Sequence, residues 1–259
     1  MIRYVPVLGL CLMSLSGCNL VLDLDQFTEP GADAGPPPLW VRGNVLELTF
    51  NDGMTIDSSG LQQVVNPRNG AVAHDDGRYG KAYDFAATAA NERLDVADHE
   101  SLDLGAELTI EMWVLWRGGG NPQFQTLYGD LGEPSMGYSQ QYWLALQGDG
   151  ELHWRSNDCS TNTIVEVPGV RIAPEDDWVH IAVTWDASQV AFYRNAERLG
   201  LEQGVTRSPC NTNKTFFIGN NGNTYHFDGR LDEIKVSDYA KSEQQLRESM
   251  DFDSDEVGL

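Results

Sequence analysis

From about Trp40 onward the chain alternates apolar and polar residues in short runs, punctuated by clusters of Gly, Asn, Asp and Ser, and almost no stretch repeats with helical period. That spacing predicts an all-β sandwich or barrel. The run Leu108-Thr109-Ile110-Glu111-Met112-Trp113-Val114-Leu115-Trp116 is apolar on one face and mostly apolar on the other, so it is expected to be a central strand, ended by Gly118-Gly119-Gly120. Two hairpins follow. Tyr142 to Leu146 turns through Gln147-Gly148-Asp149-Gly150 into Leu152-His153-Trp154, and Trp178 to Trp185 turns through Asp186-Ala187-Ser188-Gln189 into Val190 to Tyr193. A last strand is expected from Gly229 to Val236. After it, Ser242 and Gln245 have the spacing of a capping box and predict a short C-terminal helix.

The first 39 residues have a different texture. Arg3 precedes an apolar run, Tyr4 to Leu15, too short to span a bilayer as a helix. It stops at Leu15-Ser16-Gly17-Cys18, which resembles the lipobox of bacterial lipoproteins. That resemblance implies residues 1–18 as signal peptide and lipobox, cleavage before Cys18, and acyl chains on that residue. Several chains would hold the protein at a membrane, each buried methylene contributing roughly 0.8 kcal/mol. Asn19, where an aspartate would favour the inner membrane, implies the outer one. Residues 19–39 are acidic and rich in Gly and Pro, ending in Pro36-Pro37-Pro38, and read as a tether. Residues 40–245 are then one domain and 246–259 an acidic tail. The roughly 220 residues after the tether suit one large sandwich.

The charge narrows the partners. The net charge of −22, from 39 acidic and 17 basic residues, opposes nucleic acid and anionic headgroups alike, so membrane contact is expected through the N-terminal lipid only. Two cysteines, Cys159 and Cys210, remain in the exported domain. In an oxidising compartment they are expected to pair, closing a loop of roughly 50 residues worth about 4 kcal/mol on the chain-entropy model, the alternative being two buried thiols.

Several blocks resemble, in order, the laminin G-like jelly-roll domains of the concanavalin A-like lectin and glucanase superfamily. They are Leu46 to Asp52 with Asp57-Ser58-Ser59-Gly60, Gly80 to Phe85, Leu94-Asp95-Val96, Leu102-Asp103-Leu104, Leu108 to Trp113, Trp178 to Trp185, and Ile218-Gly219 with Phe227 to Ile234. The resemblance spans Leu46 to Ala240. It implies a two-sheet antiparallel jelly roll and a binding or adhesion role towards glycans or proteins, often with calcium. By that resemblance a calcium site would join the first and last strands, with Asp52, Asp57 and Asp232 as ligands.

Catalysis is the weaker expectation. Laminarinases of this superfamily carry three acidic residues at alternate positions of one strand; here Glu107 and Glu111 flank Thr109, and Glu111 is the glutamate that non-catalytic members also show. Gly137-Tyr138-Ser139-Gln140-Gln141 lacks the last glycine of a nucleophile elbow, and the histidines have no H-E-x-x-H spacing. A glycan site would place aromatic rings under apolar sugar faces and amides or carboxylates at the hydroxyls. The expected ligand residues are Tyr138, Gln140, Tyr142, Trp154, Asn157, Asp158 and Tyr225, in a neighbourhood that also holds Tyr128, Trp143, Asn221 and Asn223. The reading is thus a non-catalytic envelope lipoprotein binding a glycan or an extracellular or envelope protein. A glycoside hydrolase or lyase, or a structural envelope protein, are the alternatives.

Overall fold

The computed structural model describes residues 42–86, 91–105, 107–130, 141–158, 163–172, 177–203, 211, 213–222 and 224–251, with side chains throughout except at 157–158, 163–168, 170 and 201–203. Cys18, Cys159, Cys210, Tyr138, Gln140 and Asn223, and the side chains of Asn157 and Asp158, lie outside this description.

Fifteen strands and one α-helix are described, with a 3-10 turn at Glu100–Leu102: β1 (Asn44–Leu48), β2 (Val65–Arg68), β3 (Val72–His74), β4 (Ala82–Phe85), β5 (Arg93–Val96), β6 (Glu107–Trp116), β7 (Phe124–Gly129), β8 (Tyr142–Gln147), β9 (Glu151–Asp158), β10 (Thr163–Arg171), β11 (Val179–Asp186), β12 (Gln189–Arg194), β13 (Glu197–Gln203), β14 (Phe216–Ile218), β15 (Gly229–Ser237) and α1 (Glu243–Met250). They form two antiparallel sheets. The eight-stranded sheet runs β13-β12-β11-β6-β15-β4-β3, with β1 also on β15, and the seven-stranded sheet runs β10-β9-β8-β7-β14-β5-β2. The alternating runs of the sequence become strands where expected, and β6 is indeed central, hydrogen-bonded to β11 and β15.

One core fills the space between the sheets. Leu108, Ile110, Met112, Val114 and Trp116 of β6 point into it, as do Val179, Ile181, Val183 and Trp185 of β11. From the other sheet come Tyr142, Leu144 and Leu146 of β8 with Leu152 and Trp154 of β9. Its centre is aromatic. Tyr128 stacks on Phe216 with centroids 5.4 Å apart, Tyr142 on Trp154 at 5.9 Å, and Trp154 meets Trp185 of the opposite sheet at 6.5 Å.

Irregularities set what faces out. A bulge between Thr126 and Tyr128 turns both Leu127 and Tyr128 inward, so β7 breaks strict alternation. Gly129, next along, has φ +147°, and a Cβ there would lie 2.5 Å from the Tyr142 carbonyl oxygen, so only glycine fits. A second bulge, between Asp232 and Lys235, puts Glu233 at φ +49°.

The capping box at Ser242 and Gln245 starts α1 as the sequence predicts. The domain does not end at residue 245, however. Leu246 of α1 is fully buried against Ala182, Ala191, Tyr193 and Ala196 on the outer face of the eight-stranded sheet, so the folded part includes the helix, and the tail as drawn from the sequence began inside it.

Candidate binding face

The two sheets present very different outer faces. That of the eight-stranded sheet is covered where α1 and the segment before it pack on β6, β11 and β12, while Asp84 of β4 and Arg230 of β15 stay partly exposed. Thr109 donates its hydroxyl to the Tyr239 carbonyl at 2.7 Å and accepts the Lys241 N–H at 2.8 Å, tying the segment before α1 to β6. Glu111 lies beneath, fully buried, accepting from Lys241 Nζ and, at 2.8 Å, from Ser249 Oγ, with His180 Nε2 3.5 Å away. Burial pushes its pKa up, but the His180 hydrogen bond and the Lys241 charge outweigh it and hold the carboxyl at about 2. Glu111 is therefore an ionised structural partner under a helix, out of a substrate's reach. Beside it Arg78 lies 4.4 Å over the Trp113 ring, and Tyr79 donates to the Met250 carbonyl at 3.0 Å.

The proposed calcium trio is not brought together. Asp57 accepts from the backbone N–H of Glu47, Ser59 and Gln63 and from the Ser59 hydroxyl, which occupies both oxygens. Asp232, fully buried, accepts from the N–H groups of Arg78, Tyr79 and Glu233; burial first, and nearby Glu233, push its pKa up to about 8. Asp52 is exposed and accepts from Met54 N–H. Among the described residues no three His, Cys, Asp or Glu side chains converge as metal ligands. These aspartates act as backbone staples, so as a set they do not fit a calcium ion. A cavity of about 340 Å³ beside Asp52 is lined by Thr49, Asn51, Met54, Ile56 and Ser58, and shares no residue with the aromatic face described next.

The outer face of the seven-stranded sheet carries a second cluster of aromatic rings. Alternation along β8 and β9 sends Trp143, Ala145, His153 and Arg155 outward while Tyr142 and Trp154 go inward. Around Trp143 gather Phe124, with centroids 5.2 Å away, and Tyr225, at 5.7 Å, while the Arg155 guanidinium lies 5.0 Å over Trp143 and 5.4 Å over Phe124. Trp143 donates its indole N–H to Thr126 at 3.2 Å, and His153 packs edge-on to Phe124 and pairs with Gln147. Asn221 holds Tyr225 in place by accepting its N–H at 3.0 Å.

Residue by residue, the sequence reading is revised. Tyr142 and Trp154 were expected at the ligand; both are 0% exposed and stacked on each other in the core, since they are cross-strand neighbours on the inward face. Tyr128 is likewise core. Tyr225 stays on the outer face, partly exposed, and Trp143 joins it there, though its own ring is covered by its neighbours. Phe124, His153 and Arg155 were missed. The signal was available: Arg155 and Trp143 share a register position opposite each other, and a hairpin alignment of the two runs would have paired them.

Across this face one register line runs Arg155, Trp143, Gly129, Phe217, Asp95 and Asn66, one residue per strand. Gly129, itself buried, stands between Trp143 and Phe217 on this line. With strands ~4.8 Å apart the two aromatic positions are about 10 Å from each other.

The chain is thus a two-sheet antiparallel sandwich with α1 packed over one outer face and a polar-aromatic cluster on the other. Residues 88–247 match the model of the concanavalin A-like lectin/glucanases superfamily, the laminin G-like group, and the chain belongs to that family. Among solved structures it is similar to the binding domain of Paraclostridial mosquitocidal protein 1, at 19% identity and a TM-score of 0.65, covering 79% of this chain and 51% of that one. Domain 4 of a GH43 extracellular arabinanase from Geobacillus stearothermophilus, solved with arabinotriose, matches at 18% identity and a TM-score of 0.62, over 80% of this chain and 98% of that one. The botulinum neurotoxin serotype G binding domain matches at 14% identity and 0.62, over 80% and 50%. The chain thus spans about half of the toxin domains and nearly all of the arabinanase domain. At these identities the likeness establishes the jelly-roll fold. No curated protein sequence matches the chain.

Proposed function

We propose that this is an exported, lipid-anchored bacterial envelope protein that binds a glycan, without catalysis, on the outer face of its seven-stranded sheet. The observation that carries the reading is the contrast between the faces: α1 and residues 78–79 pack over one, while the other carries Phe124, Arg155, Phe217 and Tyr225, all partly exposed, around the covered Trp143. Partly exposed aromatic rings suit the apolar faces of sugar rings, and the flanking Gln147 and Asn221 suit hydroxyls. The non-catalytic part is supported by Glu111, the strand glutamate most like a glycosidase acid, being ionised and enclosed. A protein receptor is the second reading. It is favoured by the similarity to toxin binding domains, one of them solved with rat synaptotagmin II.

Membrane attachment in this reading rests on Cys18 and places the protein at the outer membrane. Changing Cys18→Ser is expected to move the protein from the membrane fraction to the soluble one and abolish incorporation of labelled palmitate; a variant that stays with the membrane would rule out the lipid anchor.

The binding claim is tested by screening polysaccharides, arabinan included, against the purified protein with calcium and again with chelator. Saturable binding without turnover is expected, weakened about tenfold by Phe217→Ala, whose partly exposed ring lies outside the core. Product release from any polysaccharide would overturn the non-catalytic reading. Loss of binding in chelator would show calcium at work through a site other than the three aspartates taken together.

A further inference from the structure

At the end of the same face away from Trp143, the register sets two arginines directly opposite each other. Arg68 of β2 pairs with Arg93 of β5. Like charges in that position repel, and a chain of net charge −22 has few cations to place so. A single carboxylate serves both: Asp95 Oδ1 takes Arg93 Nε at 2.6 Å and Oδ2 takes Arg68 Nε at 2.8 Å. Each guanidinium has five N–H donors. Among the described residues neither bonds any other acceptor, so no described group takes up the Nη donors of either. The Arg93 guanidinium lies 5.4 Å from the centroid of the Phe217 ring. Arg93 is mostly buried, with a side-chain exposure of 19%, whereas Arg68 is half exposed at 52%.

Two cations against one anion leave one unit of positive charge beside an aromatic ring. We infer that Arg68 and Arg93 form a carboxylate-binding subsite, and that the glycan taken by this face carries an acidic sugar, a uronate whose ring meets Phe217. This deepens the glycan reading and rests on it. The surplus is one charge on a strongly acidic molecule, so the fitting ligand is a mainly neutral chain with isolated carboxylates; a dense polyanion is repelled by the remaining surface. Planar guanidinium groups suit a carboxylate because two parallel N–H donors match its two oxygens.

The test uses the arginine Nε–Hε signals in nuclear magnetic resonance of the purified full chain, titrated with methyl β-glucuronide, methyl β-glucoside and acetate. The glucuronide is expected to shift the Arg68 and Arg93 signals saturably, about tenfold more tightly than acetate, while the glucoside leaves them in place. Raising the salt should weaken the glucuronide effect. Arg68→Gln, at a half-exposed position where folding is not at stake, should weaken it about tenfold, and Arg93→Gln serves as the second variant. Equal affinity for acetate and glucuronide would overturn the acidic-sugar assignment and leave a bare anion site. No shift with either anion would overturn the subsite altogether, and the polysaccharide screen then decides the wider glycan reading by itself.

Discussion

Replacing Lys241 by Met is expected to destabilise the folded domain by about 3–5 kcal/mol, because it leaves the Glu111 carboxylate buried without its cation. For a domain of this size that corresponds to a fall of roughly 10 °C in Tm. The loss should be larger than the pair's net worth, since the cost comes from stranding one charge rather than from losing an attraction. The double variant Glu111→Gln with Lys241→Met should therefore recover much of the stability, and thermal unfolding of the four proteins measures this coupling directly. Acid unfolding gives a second reading. Glu111 has a pKa of about 2 in the folded chain and 4.5 when unperturbed, so its ionised form stabilises the fold fully above pH 4.5. That contribution declines as the pH falls from 4.5 towards 2. Glu111→Gln should lack this part of the acid slope; an unchanged slope would show that Glu111 does not hold the helix down as an ion.

Trp154→Ala is expected to cost about 3–5 kcal/mol of stability and to leave binding per folded molecule unchanged. The ring is fully buried between Tyr142 at 5.9 Å and Trp185 at 6.5 Å, bridging the two sheets, and its removal opens a cavity that rigid aromatic neighbours cannot close. Denaturant unfolding followed by near-ultraviolet circular dichroism measures the first part, and titration of the folded fraction with the polysaccharide found in the screen measures the second. The contrast with Phe217→Ala is the informative one. A Trp154 variant that stays stable but loses ligand would return this residue to the binding site and contradict the packing.

These two results concern residues for which sequence and structure give different kinds of information. Trp154 and Tyr142 look, in one dimension, like members of a polar-aromatic ligand patch, because Asn157, Asp158 and Gln140 lie close along the chain. In the sandwich, alternation turns them inward together with Leu144 and Leu152. Trp143, one residue away, goes outward for the same reason. Which parity is inward depends on the opposite sheet, and nothing within β8 itself says so. The missed Lys241 and Ser249 are a different case, since they meet Glu111 across 130 and 138 positions of sequence.

What the amino-acid sequence determined by itself was the all-β class: alternating runs with turn residues at short spacing predict a sandwich or barrel that buries one face of every strand, and the resemblance of the family blocks implied the two-sheet jelly roll. The family blocks, the central β6 and the Ser242–Gln245 cap were equally legible, because each depends on residues close in the chain. Tertiary structure alone decided what covers the eight-stranded sheet, since that turns on α1 and residues 78–79 folding back over it. It also decided that Asp57 and Asp232 hold backbone N–H groups, and that Arg68, Arg93 and Phe217 share one end of the other sheet's outer face. The physical reason is the same throughout: periodicity records whether a side chain is buried, and only the packing of distant strands determines against what.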